Sequence, residues 1–165
     1  MMKQIVLPIV GVMAFIIVIG LYFQQASKTN TLPPGATPVP TKTVSVNGRI
    51  VQVEIADTEE KRKVGLGGRT KLEENTGMLF VFNPQNVTPI FWMKDTLIPL
   101  DIIWINDNKI VKIDPNVQPP KSDTPDVQLQ KYTPGQPVDY VLEVPAGYAA
   151  VHTTMIGDPV DLSKI

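Results

Sequence analysis

The sequence predicts an all-β domain, a sandwich or barrel of six or seven short strands with one short helix, preceded by an apolar N-terminal segment. Three observations carry this. From Thr43 onward, short runs of β-branched and aromatic residues alternate with polar ones. Sixteen prolines and 11 glycines in 165 residues break those runs often. One stretch alone, "TEEKRKVGL", has the chemistry of a short helix.

The chain opens with Ile5 to Phe23, which contains no charged residue. That is close to the ~20 apolar residues that span a bilayer as a helix. Pro8 and Gly11 are tolerated in such a helix. "QQAS" after the run is a poor cleavage site, so an uncleaved signal anchor over residues 1–26 is expected, with the following domain extracytoplasmic. Residues 27–42, "SKTNTLPPGATPVPTK", form a Pro/Thr-rich linker. Its prolines favour an extended, semi-rigid spacer of about 3.1 Å per residue.

The domain is expected over residues 43–165. "TVSVNGRIVQVEIA" reads as a hairpin around Asn47-Gly48, with Val51, Val53 and Ile55 on one face of its second strand. Asp57, with Glu60 three residues on, resembles a capping box that starts the helix. Gly65, Gly67 and Gly68 stop it. "GMLFVF", "IFWM", "LIPLDIIWI", "KIVKI" and "DYVLEV" supply the further extended runs. Asn106-Asp107-Asn108 makes a tight turn between the third and fourth of these. A polar loop is expected from Asp114 to about Pro137, and a short helical turn in "YAAVHTTM".

Composition removes several function classes. Fifteen basic and 16 acidic residues leave a net charge of −1, without the basic footprint of a nucleic-acid binder. The absence of cysteine excludes disulfides, thiolate metal sites and cysteine nucleophiles. His152 is the single histidine, so no site here uses two imidazoles from one chain. EF-hand spacing is absent, and Ser45, Ser122 and Ser163 lack a nucleophile-elbow context. His152 and Met155, with Met78 and Met93, are a weak copper pattern, and methionine beside aromatics is more often core. No cofactor and no metal are expected.

The blocks "RKVGLGGRTKLEENTGMLFVF", "FWMKDTLIPLDIIWI", "YVLEVPAG" and "GDPV", in this order, resemble the family known as domain of unknown function 192. The resemblance covers roughly Thr43 to Leu162. It implies a jelly-roll-like antiparallel β-sandwich, and no activity. The chain departs from the family's usual pattern at Asp95, where asparagine is general, and at Gly67, where a methionine usually follows the leucine.

Chemistry is expected in "FWMKDTLIPLDIIWI". Asp101 lies in a strand that is apolar on both faces, so it needs a charge partner or several hydrogen bonds. An arginine, Arg62 or Arg69, is the expected partner because its planar fork matches a carboxylate, and Lys94 is the alternative. Lys94, Asp95 and Thr96 form a turn that, with Asp101, Trp92 and Phe91, describes a small polar pocket with aromatic walls, suited to a small molecule or a glycan. Asp95, Asp101, Glu143 and Asp158 are the carboxylates whose convergence a carbohydrate hydrolase would require. A binding or accessory module for a small molecule, a glycan or an envelope protein is the leading reading, with a carboxylate-dependent hydrolase of envelope carbohydrate or a purely structural interaction domain as alternatives.

Overall fold

The computed structural model describes residues 41–165. The expected membrane anchor, and the linker as far as residue 40, lie outside the described residues. Among the described residues no helix is long and apolar enough to cross a membrane.

The expected hairpin is present. Strands β1 (Thr41–Val46) and β2 (Arg49–Ala56) pair antiparallel from Thr41↔Glu54 to Val46↔Arg49. Asn47 and Gly48 both take positive φ, 48° and 80°, the backbone that lets a two-residue turn follow the strand twist. Helix α1 (Glu59–Val64) follows. Its N-cap is Thr58, one residue beyond the expected Asp57, because the extended Thr58 aims its hydroxyl at the Lys61 N–H, 3.2 Å away. Asp57 instead pairs with the Lys61 ammonium at 2.7 Å. Gly65 ends the helix at φ 51°.

After α1 come β3 (Thr76–Val81), β4 (Phe91–Trp92), β5 (Leu100–Asn106) and β6 (Lys109–Val117). Then come β7 (Lys131–Tyr132), β8 (Tyr140–Pro145), helix α2 (Tyr148–Val151) and β9 (Val160–Asp161). The β5–β6 turn at Asp107-Asn108 also takes positive φ at both residues. Strand β5 begins only after Pro99, so that proline does not interrupt a ladder, and all but the last residue of β5 are buried on both faces. The loop expected from Asp114 starts later, because a register shift opposite Leu100–Ile102 lets β6 run on to Val117.

Seven strands form one sheet in the order β6-β5-β8-β3-β2-β1-β9, and β4 pairs with β7 separately. The expected all-β class holds. The expectation of antiparallel pairing throughout does not, because β2 and β3 pair in parallel, from Gln52↔Thr76 to Ala56↔Phe80. Parallel neighbours need a crossover, and the segment containing α1 supplies it.

The sheet curls until its two edges meet. Lys109 bridges Pro159, the Ile110 N–H donates to Asp158 O at 3.0 Å, and the Val160 N–H donates to Asn108 O at 2.8 Å. Two cores result. Val44, Val51, Leu79, Ile103, Ile105, Leu142 and Val144 fill the enclosed side. Met78, Phe80, Leu100, Ile102, Trp104 and Val141 face outward and pack with Leu66, Met93 and Val138 from the covering loops. Alternation along β3, β5 and β8 sends successive side chains to the two cores.

Candidate functional site

Strand β8 carries one buried carboxyl, Glu143. Leu142 and Val144 face the enclosed core, and Val141 faces the outer one. Glu143 therefore points outward, between Met78 of β3 and Ile102 of β5, its register partners on either side. It is only 5 % exposed, and none of the described residues hydrogen-bonds its side chain. Its oxygens are not among the sealed unpaired polar atoms, which are Asn106 Oδ1 and Tyr148 OH. They open instead onto a cleft of about 340 Å³. Burial among apolar neighbours pushes the carboxyl up from the usual carboxylate range to about 8.

The cleft walls are aromatic. Phe80, Phe82, Phe91 and Trp92 line it, with Phe80 and Phe91 edge to face at 4.8 Å and Phe91 against Trp104 at 5.4 Å. The C-terminal part of α1 and the Thr96 turn complete it. At the mouth, Val64, Ile90 and Trp92 are exposed apolar side chains. Gly77 keeps the floor tight: a Cβ there would fall 2.3 Å from the Glu143 carbonyl oxygen, so only glycine lets β3 run this close to β8.

Besides Glu143, five of the residues singled out in the sequence meet at this cleft: Arg62, Phe91, Trp92, Lys94 and Thr96. The Arg62 guanidinium donates to Asp57 O and Val81 O, both at 2.9 Å, and lies 5.7 Å over the Phe82 ring. Lys94 pairs with Asp126, which holds its pKa above the ordinary lysine value, and lies 5.9 Å over Trp92.

The other three lie elsewhere. Asp95 lines a neighbouring depression with Lys121, Ser122 and Thr124, which shares Lys94 and Thr96 with the cleft but not Asp95. Its φ of 57° explains an asparagine at this position by backbone conformation, since asparagine and aspartate tolerate the left-handed region best. The Gly68 N–H donates to Asp95 O at 2.7 Å, and a Cβ on Gly67 would lie 3.6 Å from Asp95 Cβ. The two departures from the family pattern are thus neighbours in space. Arg69 forms a two-pronged pair with Glu54, 2.6 Å for each contact, beside a different cleft.

Asp101 has no arginine partner, which corrects the expectation. It is fully buried and accepts three backbone N–H groups: Asn116 at 2.8 Å, Gly147 at 3.0 Å and Ala149 at 2.8 Å. The strand apolar on both faces satisfies its acid with main chain rather than with charge. Two of the three donors open α2, so Asp101 caps that helix from a distant strand.

The four carboxylates do not converge. Glu143 lines the aromatic cleft, whereas Asp158 binds the Asn47 side chain and the Met155 N–H. His152 packs edge-on against Tyr148, and no group of three metal-ligating side chains occurs among the described residues.

The model of the family of domain of unknown function 192, described as an uncharacterized ACR, matches residues 42–162, and the chain belongs to that family. No curated protein matches the chain. Two solved structures are similar. One, from Novosphingobium aromaticivorans DSM 12444, is a protein of unknown function, 31 % identical, with a TM-score of 0.67, covering 82 % of this chain and 98 % of that one. The other, from Sinorhizobium meliloti 1021, is named as a candidate transcription regulator, 29 % identical, with a TM-score of 0.66, covering 77 % of this chain and 97 % of that one.

Proposed function

We propose that this member of the family is a membrane-anchored, extracytoplasmic binding module whose aromatic cleft takes a small molecule or a glycan unit. The observation that carries the reading is Glu143, a buried carboxyl without a partner among the described residues, at the floor of an open aromatic cleft. A buried polar group left unmatched costs on the order of 1–3 kcal/mol, so a fold that keeps one facing a cleft has a use for it. Aromatic faces with a few polar groups are the usual make-up of small-ligand sites.

Anchoring rests on the charge-free run Ile5 to Phe23, and distance from the bilayer on the proline-rich linker that follows. The balanced charge of the chain gives no support to carrying over the neighbour's label of transcription regulator.

Two experiments test this. In carbonate-washed membranes, the full chain should remain in the pellet, with the domain open to external protease; recovery in the wash removes the anchor. Ligand-observed NMR of the full chain against small sugars and small aromatic solutes should give saturation transfer that Trp92→Ala weakens. A signal untouched by Trp92→Ala, or no signal from any solute, removes the cleft.

A further inference from the structure

Charge around the cleft narrows the ligand. Its lining carries three cations, Arg62, Lys63 and Lys94, against the acids Glu59 and Glu143. Lys94 is offset by Asp126. Arg62 contacts only carbonyl oxygens, and Lys63 has no acidic partner among the described residues. Arg62 stands in the field of Asp57 and Glu60, so Lys63 is the cation left without a facing acid, and three cations against Glu59 and Asp126 leave the lining a small positive surplus that favours an anion. A ligand cation fares poorly here, because the outer aromatic faces are already occupied by the chain's own cations, Arg62 over Phe82 and Lys94 over Trp92. The inner rings, Phe80 and Phe91, stand edge to face at 78° and remain as an apolar corner.

Resting on the reading of this cleft as a ligand site, we propose that its ligand is a small organic anion, a carboxylate on a flat apolar body. The body packs on Phe80 and Phe91. The carboxylate takes the O–H of protonated Glu143 as a hydrogen bond and lies within the field of Arg62 and Lys63. A protonated carboxyl donates one hydrogen bond, whereas its ionised form is acceptor-only and repels an anion. The groups around Glu143 agree with this. Helix α1 presents Glu59, Arg62 and Lys63, the Thr96 turn presents Lys94, and β3 and β5 present the apolar Met78, Phe80 and Ile102.

Calorimetry or chemical-shift titration of the full chain with benzoate, benzamide and benzylammonium tests this. At about pH 6.5 benzoate should bind roughly tenfold or more tightly than benzamide, and at about pH 9.5 it should lose about tenfold in affinity, as Glu143 ionises. Glu143→Gln keeps an N–H donor and cannot titrate, so benzoate should still bind and the loss at high pH should vanish. Lys63→Gln should weaken benzoate by a few fold. Preference for benzylammonium or benzamide, or a benzoate affinity that rises with pH, overturns the anion inference while the cleft stays a binding site. Silence from all three solutes also overturns the inference, and the sugars then decide the broader reading alone.

Discussion

Asp101 and Glu143 are both buried carboxyl groups on adjacent strands, one register step apart, yet they have opposite environments. Asp101 faces the end of the enclosed core and accepts three main-chain N–H groups. Glu143 faces the outer side and accepts none from the described residues. Burial alone therefore does not mark a functional acid. The two differ in whether the fold supplies hydrogen bonds, and an unmatched buried acid calls for an explanation that a matched one does not.

The largest expected effect breaks the matched partner. Asp101→Asn leaves one oxygen for three donors and adds an N–H facing a donor, so unfolding free energy should drop by ~2–4 kcal/mol in urea titrations. Cleft binding by the folded fraction should be unchanged. Equal stability with lost binding would reverse the roles assigned to the two acids.

Gly77→Ala comes next. It pushes a methyl group into the Glu143 carbonyl oxygen, and the expected cost is about 2 kcal/mol by thermal melting.

Glu143 itself contributes a pH dependence. Its folded pKa, about 8, stands above the ordinary 4.5, so between those values the folded state holds a proton that the unfolded chain has lost. Stability should therefore fall as pH rises from about 4.5 to about 8, by a few kcal/mol in order of magnitude, and level off above. Glu143→Gln should flatten this slope in melting curves taken across that range. A slope that persists in the variant assigns it to other groups.

The smallest effect belongs to Asp95→Asn. At a left-handed residue outside the Glu143 cleft, it should change stability by less than about 0.5 kcal/mol and leave cleft binding alone. A change in binding would mean that the acid at this turn reaches the ligand after all.

Local chemistry was readable in the sequence wherever it is decided locally. Asn47-Gly48 and Asp107-Asn108 make turns because those residue types accept positive φ. The charge-free strand around Asp101 announced a buried acid that needed partners, and Trp92, Lys94, Thr96 and Arg62 announced the rim of the cleft. Asp101's partners escaped because they are backbone groups, and a sequence carries no sign of which N–H groups a distant turn will present.

Glu143 is the clearest case of what sequence could not decide. In "YVLEVP" an alternating pattern sends glutamate outward, which for an isolated strand means water. Alternation did determine its face. What covers that face, helix α1 and the aromatic segment around Phe91, comes from remote parts of the chain. The same holds for the parallel β2–β3 pair and for the meeting of the sheet's two edges. Periodicity and turn chemistry are properties of neighbouring residues, and they determined the strands, the turns and the class of the fold. Which strands pair, and whether a given acid meets water, backbone or a cleft, depends on contacts between segments far apart in sequence, and only the tertiary structure decided them.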